Sequence, residues 1–250
     1  MTKSIDVECL VLECVEYKEN DALVTVCSEE SIFTVYARGI LKQASKNRKI
    51  TQPFSKVNMT LNYASDKAMP MLIHGNVIDY YYKIQQDLVS QSICFVLIEM
   101  VRKSKCNDRI YHFLDACFKA FHNNTNPLTY ACLCIKEILI SEGIGMYVSG
   151  CVECGRKDKL EAISIPEGGF ICHYCNGHVH TPLSKEELIQ YYSLFVLKDK
   201  DNERFIETME FTIDQFIFLS RWFEEHGHTR LVSLQFIFLS RWFEEHGHTR

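Results

Sequence analysis

Residues 7–39 read VECLVLECVEYKENDALVTVCSEESIFTVYARG, and the order of residue types along them decides the architecture. Three runs rich in β-branched and aromatic side chains, VECLVLECV, ALVTVC and SIFTVYARG, are separated by the polar turns Lys18-Glu-Asn-Asp21 and Ser28-Glu-Glu-Ser31. Such punctuation marks short strands rather than helices. KVNMTLNYA at 56–64 and MLIHGNVIDYYY at 71–82 bring the expected strands to five. Five short strands suit a small barrel, because closing the sheet removes the edges that would pair with other chains. The five-stranded version is the OB-fold, whose open face and loops hold single-stranded nucleic acid.

Beyond residue 82 the period changes. QDLVSQSICFVLIEMVRKS, residues 86–104, places Leu88, Ile93, Val96, Leu97 and Val101 on one side of a helix. Helix continues over Tyr111–Phe121 and Leu128–Ser141, the latter with Asn126 as its cap and Pro127 in its first position, until Gly143 and Gly145 stop it. LSKEELIQYYSLFVL resumes helix after Pro182, with Ser184 and Glu187 at capping-box spacing. Lys198-Asp-Lys-Asp-Asn-Glu-Arg204 reads as a solvated loop. The expected fold class is therefore α+β: an OB-fold barrel over 1–82 and a helical domain over 83–250.

Inserted among these helices, at 148–180, lies SGCVECGRKDKL…GGFICHYC. Cys151, Cys154, Cys172 and Cys175 form two Cys-x2-Cys pairs separated by seventeen residues, the spacing of four-thiolate zinc sites. Two residues between cysteines let a tight turn aim both sulfurs at one ion, and two such turns supply a closed tetrahedron. Gly155 and Gly168-Gly169 fit those turns. With four protein ligands no water is left to activate, so the expected ion is one structural Zn2+. His173, His178 and His180 lie beside the second pair and read as exposed. A zinc deaminase would need a His-x-Glu and a Pro-Cys-x-x-Cys, and residue 171 is Ile. A thiol-redox role for Cys151 and Cys154 would want a βαβ context and would leave the second pair unexplained.

The remaining eight of twelve cysteines (Cys9, Cys14, Cys27, Cys94, Cys106, Cys117, Cys132, Cys134) are scattered through apolar segments as small hydrophobes, which reads as a reducing compartment. No apolar leader region and no run of about 18 apolar residues is present, so a cytoplasmic protein without a membrane span is expected. No P-loop, nucleophile elbow or open metal site points to an enzyme.

The net charge of -5 argues mildly against a chain coated in nucleic acid, yet charge is unevenly distributed. RGILKQASKNRKITQPFSK, residues 38–56, carries Arg38, Lys42, Lys46, Arg48, Lys49 and Lys56 with no acidic residue. Two readings stand. The lysines keep a strand edge from aggregating, or they form the basic track of a single-strand binder, with Phe33, Tyr36 and Phe54 as candidate stacking platforms.

The order barrel, helices, inserted four-cysteine ribbon resembles the RecO family of bacterial recombination mediators. The resemblance rests on VLECVEYKENDALVTVCSEE (11–30), on YARGILKQASKNRKITQPFSKVNMTL (36–61) with its Arg-Gly, basic residues and Pro-Phe, and on the cysteine ribbon. It implies a non-enzymatic, nucleoid-associated protein that binds single- and double-stranded DNA and anneals complementary strands. It also implies work with RecR and with the C-terminal tail of single-strand-binding protein, so that the recombinase loads onto coated strands. The DNA-binding patch carries over to Arg38, Lys42, Lys46, Arg48, Lys49 and Lys56. The competing expectation, which the acidic total favours, is a protein- or RNA-binding module without annealing activity.

One feature stands outside this pattern. QFIFLSRWFEEHGHTR at Gln215–Arg230 recurs unchanged at Gln235–Arg250, the mark of a recent duplication or a sequence artefact. Each copy presents one amphipathic face, and a single groove accepts only one of them.

Overall fold

The computed structural model describes residues 3–43, 45–65, 68–198 and 201–231. It contains two compact units, Met1–Thr125 and Asn126–Arg250.

In the first unit, β1 (Lys3–Tyr17), β2 (Asp21–Cys27), β3 (Ile32–Ala37), β4 (Ser55–Tyr63) and β5 (Met71–Tyr80) close into a barrel of order β1-β2-β3-β5-β4. The five strands expected from the sequence are those observed. One long strand makes closure possible: β1 pairs with β4 through residues 3–11 and with β2 through residues 10–17. Its register slips between Val11 and Glu13, and the bulge there bends the strand from one neighbour to the other. The last seam is a short parallel contact, Tyr36 opposite Met71. Alternation along β2 and β4 turns Ala22, Val24, Val26, Val57, Met59 and Leu61 inward.

The same unit extends past the barrel through α1 (Leu88–Lys103) and α2 (Asp108–Asn123). Phe54 explains why. It is 1% exposed, and its ring meets Phe95 at 4.9 Å and Phe118 at 5.5 Å between centroids. This aromatic, a candidate stacking platform of a kind that in strands is more often core, is core here and is the plug that joins barrel to helices. Its φ of 61° turns the chain sharply into β4.

The second unit is built on α3 (Pro127–Ser141), where Ala131, Cys132, Leu133, Cys134, Ile135, Ile138 and Leu139 are all fully buried. Around it lie the hairpin β6 (Leu160–Ser164) and β7 (Gly169–Cys172), the short α4 (His173–Asn176), then α5 (Lys185–Val196), α6 (Asn202–Thr208) and α7 (Ile213–His226). Ser184 and Glu187 form the expected capping box. Asn126 occupies the cap position of α3 without capping it; its side-chain amide donates to Ile206 O and Met209 O at 2.7 and 2.8 Å, tying α6 to α3. The charged run read as loop to Arg204 is helical from Asn202, because buried Phe205 packs on Phe211 and anchors a helix of 7 residues. The first copy of the repeat is α7: Phe216, Leu219, Trp222 and Phe223 are buried, and Trp222 Nε1 donates to Ile144 O at 2.8 Å. The second copy lies outside the described residues.

Candidate metal centre and nucleic-acid interface

The ribbon brings its four cysteines to one point by two matched turns. In the first, Gly155 N–H donates to Cys151 O at 2.9 Å and Cys151 N–H to Arg156 O at 2.7 Å, which folds Val152 and Glu153 into the bend. Gly155 takes φ 73°, a conformation that costs a side-chain-bearing residue about 1 kcal/mol or more. In the second, Cys172 ends β7, Cys175 lies one helical turn later in α4, and Gly177 at φ 53° closes the turn. Gly169 lets the two halves meet: a Cβ there would lie 2.2 Å from Tyr147 O. Phe170 N–H donates to that carbonyl at 3.0 Å, and Val152 N–H donates back to Phe170 O at 2.8 Å, which seats the first turn beside β7.

The four sulfurs all lie within 4.8 Å of one another, and none is in a disulfide. Cys154 Sγ and Cys172 Sγ are 3.7 Å apart. A tetrahedron of sulfurs about 2.3 Å from a central ion has edges of about 3.8 Å, so this spacing fits a metal ion and not a disulfide. Although burial resists ionisation of Cys151, the backbone N–H groups of Cys154, Cys172 and Glu153 push its thiol down to about 6. The Cys175 thiol is pushed up, first by its hydrogen bond with Cys154 and then by burial. The cluster can hold a metal ion.

The three nearby histidines are not drawn into it. His173 Nδ1 lies 2.8 Å from Glu161 Oε2, and His173 and His178 are exposed. Hydrogen bonds from Asn176 and then His173 hold the Glu161 carboxyl below its usual range. Asn176, fully buried, also bonds the backbone of His180 in both directions at 2.8 and 2.9 Å, locking the second turn from behind.

On the barrel, the basic segment between β3 and β4 is anchored rather than loose. Ile40 and Ile50 are 2% and 3% exposed and belong to the barrel core. They pin a strap whose middle, Lys46–Thr51, is a 3-10 turn. Asn47 Nδ2 donates to Ile73 O at 3.1 Å, and Thr51 Oγ1 donates to Arg48 O at 3.0 Å. Gly75 makes room: a Cβ on it would stand 2.5 Å from Asn58 O and 2.9 Å from Ile50 Cδ1. At the other end Asp21 accepts from Tyr36 Oη and from Gly39 N–H, and these bonds, with the charges of Lys18 and Arg38, hold its carboxyl below the usual range.

Arg38, Lys42, Arg48 and Lys49 are exposed on this strap, and Lys46 opens its 3-10 turn. Lys56 is placed differently. Its ammonium sits 3.0 Å from both Glu8 Oε1 and Asp115 Oδ2. Partial burial opposes its charge, but the hydrogen bonds it donates to Glu8 and Asp115, and their charges, push its pKa up. Asp115 also accepts from Tyr81 Oη at 2.7 Å. Lys56 therefore fastens α2 to the barrel. Tyr36 is committed to Asp21, while the exposed rings Tyr80 and Tyr82 flank inward-facing Tyr81. Alternation within Asp79-Tyr-Tyr-Tyr82 is the signal that would have found them.

Together these features define a class: an OB-type barrel carrying a basic strap, joined to a helical unit with a four-cysteine ribbon. Family models described as recombination protein O N terminal and recombination protein O C terminal match residues 1–81 and 85–191. The chain is 30% identical over 187 residues to the DNA repair protein RecO of Syntrophomonas wolfei subsp. wolfei, covering 72% of this chain and 74% of the relative. It is 25% identical over 235 residues to that of Bacillus subtilis strain 168, covering 90% and 91% respectively. The chain belongs to the RecO family, a DNA-binding family of DNA repair and recombination. No described helix is long and apolar enough to cross a membrane.

Proposed function

We propose that this protein binds single- and double-stranded DNA through the barrel strap, anneals complementary strands, and helps load the recombinase onto strands coated by single-strand-binding protein. RecR and the acidic C-terminal tail of single-strand-binding protein are its partners, and no catalytic residue is involved. Residues 1–82 act as the nucleic-acid module and 83–250 as the partner-binding half, a division supported by the junction of the two family models between residues 81 and 85. One structural zinc ion is held by Cys151, Cys154, Cys172 and Cys175; the thiol donor set and the sulfur spacing support zinc over hard cations, which prefer oxygen ligands.

The observation that carries the DNA reading is the strap: cations held on a rigid support by two buried isoleucines. Among the described residues, Lys42, Arg48 and Lys49 form no ion pair, so binding phosphates breaks no existing contact. The patch we assign is Arg38, Lys42, Lys46, Arg48 and Lys49. If all six basic residues of the segment neutralised phosphates, the logarithmic salt slope on single strands would be about -4; with Lys56 held by its carboxylates it is about -3.5, at roughly 0.7 per contact. Charge reversal of Lys46, Arg48 and Lys49 to Glu should flatten the slope by about 2 and slow annealing of labelled complementary oligonucleotides. Unchanged affinity and slope would remove the strap from the mechanism. Wild-type protein that neither shifts an oligonucleotide nor speeds pairing would favour a protein- or RNA-binding module, the reading that the net charge of -5 supports.

A further inference from the structure

Outside the ribbon, another pair of cysteines is in contact. Cys27, at the end of β2, and Cys106, in the corner between α1 and α2, have their sulfurs 3.2 Å apart across 79 residues of sequence. Neither is in a disulfide, and one between them would need the sulfurs only about 1.2 Å closer.

The surroundings hold the two sulfurs together while exposing one of them. Cys27 is fully buried, and the turn that follows it is fixed by Ser28 N–H to Ser31 O at 2.9 Å and by Ser31 N–H to Ser28 Oγ at 3.2 Å. Cys106 is half-buried; it lies between Ser104, which caps the end of α1, and Asn107, whose side chain caps α2 by accepting from Ile110 N–H at 3.0 Å. Glu29 in the turn also reaches His112 on α2 at 3.3 Å, so the β2–β3 turn and the helix corner are joined at several points. Cys106 immediately precedes the N-terminal end of α2, a position that stabilises a thiolate. The hydrogen bond from Cys27 lowers the Cys106 pKa further, against its burial.

We propose that Cys27 and Cys106 form a modification site, a dithiol that a small-molecule disulfide converts reversibly to an intramolecular disulfide. Solvent reaches Cys106 and not Cys27, which sets the order of events. The Cys106 thiolate attacks one sulfur of the oxidant, forming a mixed disulfide and releasing one thiol. Cys27 then gives its proton to solvent and attacks Cys106 Sγ, expelling the second oxidant thiolate, which takes up a proton. Two protein thiols are oxidised to one disulfide, and one small-molecule disulfide is reduced to two thiols. The bond would tie the β2–β3 turn to the α1–α2 corner and leave the ribbon untouched.

The test uses the full chain and oxidised glutathione. After oxidation, remaining thiols are alkylated and non-reduced peptides are mapped by mass spectrometry. A Cys27–Cys106 cross-link that dithiothreitol reverses is expected. In Cys27→Ala the reaction should stop with glutathione on Cys106, and in Cys106→Ser position 27 should stay alkylatable. Half-buried Cys14, whose thiol burial pushes up, serves as the internal reference for access. Glutathione persisting on Cys106 of the wild type, or modification of Cys14 while Cys27 and Cys106 stay reduced, would overturn the proposal. Because these outcomes are read on peptides, they are independent of whether the strap binds DNA.

Discussion

The basic strap of the barrel and the cysteine ribbon are both short segments with small apolar anchors, and they are held in opposite ways. The strap is fixed by two side chains driven into a neighbouring core, Ile40 and Ile50, and it keeps its cations outside. The ribbon buries Ala162, Ile163, Phe170, Ile171 and two of its cysteines, and converges on its sulfurs. A segment anchored from beneath leaves its upper surface open to a ligand. One anchored at its centre spends its most reactive groups on holding itself together.

The comparison breaks first at the ribbon. Cys172→Ser should abolish metal binding, and a strong chelator should have the same effect on the fold, since the zinc ion we propose would supply about 10 kcal/mol or more to its surroundings. Metal content together with amide exchange over β6 and β7 checks this. Protection should collapse in the hairpin while β1–β5 keep theirs and oligonucleotide affinity changes little. Parallel loss in barrel and ribbon would mean that the ribbon is not an independent anchor.

At the strap the corresponding break is Gly75→Val. The new side chain meets Asn58 O and Ile50 Cδ1, and overpacking of this kind costs about 1–3 kcal/mol. The thermal midpoint of the first unit should fall, and affinity for single strands should fall with it although no cation has been removed. A variant that is less stable yet binds as tightly would separate the isoleucine anchor from the patch.

A smaller effect sharpens the strap's other end. The Asp21 carboxyl titrates below its usual range in the folded chain, so its contribution to stability is present above the ordinary carboxylate pKa and is lost as pH falls through the lowered one. Asp21→Asn should flatten the acid side of the stability profile, read as denaturation midpoints between about pH 5 and 2. An unchanged profile would show that Tyr36 and Gly39 find other partners.

Much of this was legible in the linear chain. The strands, the helix starts at Pro127 and Ser184, and the four cysteines all follow from local chemistry: β-branched alternation, a cap, a two-residue spacer. What failed did so for tertiary reasons. Phe54 reads like any strand aromatic, and only Phe95 and Phe118 arriving from distant helices make it core. Asn126 has a capping side chain, but its Oδ1 accepts from Thr129 Oγ1 and its amide donates to two carbonyls near residue 208. Lys56 belongs by sequence to an unbroken basic run, yet Asp115 approaches from 59 residues away and claims it.

The sequence by itself determined the five barrel strands, most of the helices and the two cysteine turns, because those depend on residues a few positions apart. It also determined that positive charge is concentrated in one stretch. Which of those charges face outward was decided only by the tertiary structure. Burial and ion pairing are properties of groups brought together across the fold, and no spacing along the chain encodes that Ile50 would find Gly75 or that Cys27 would lie against Cys106.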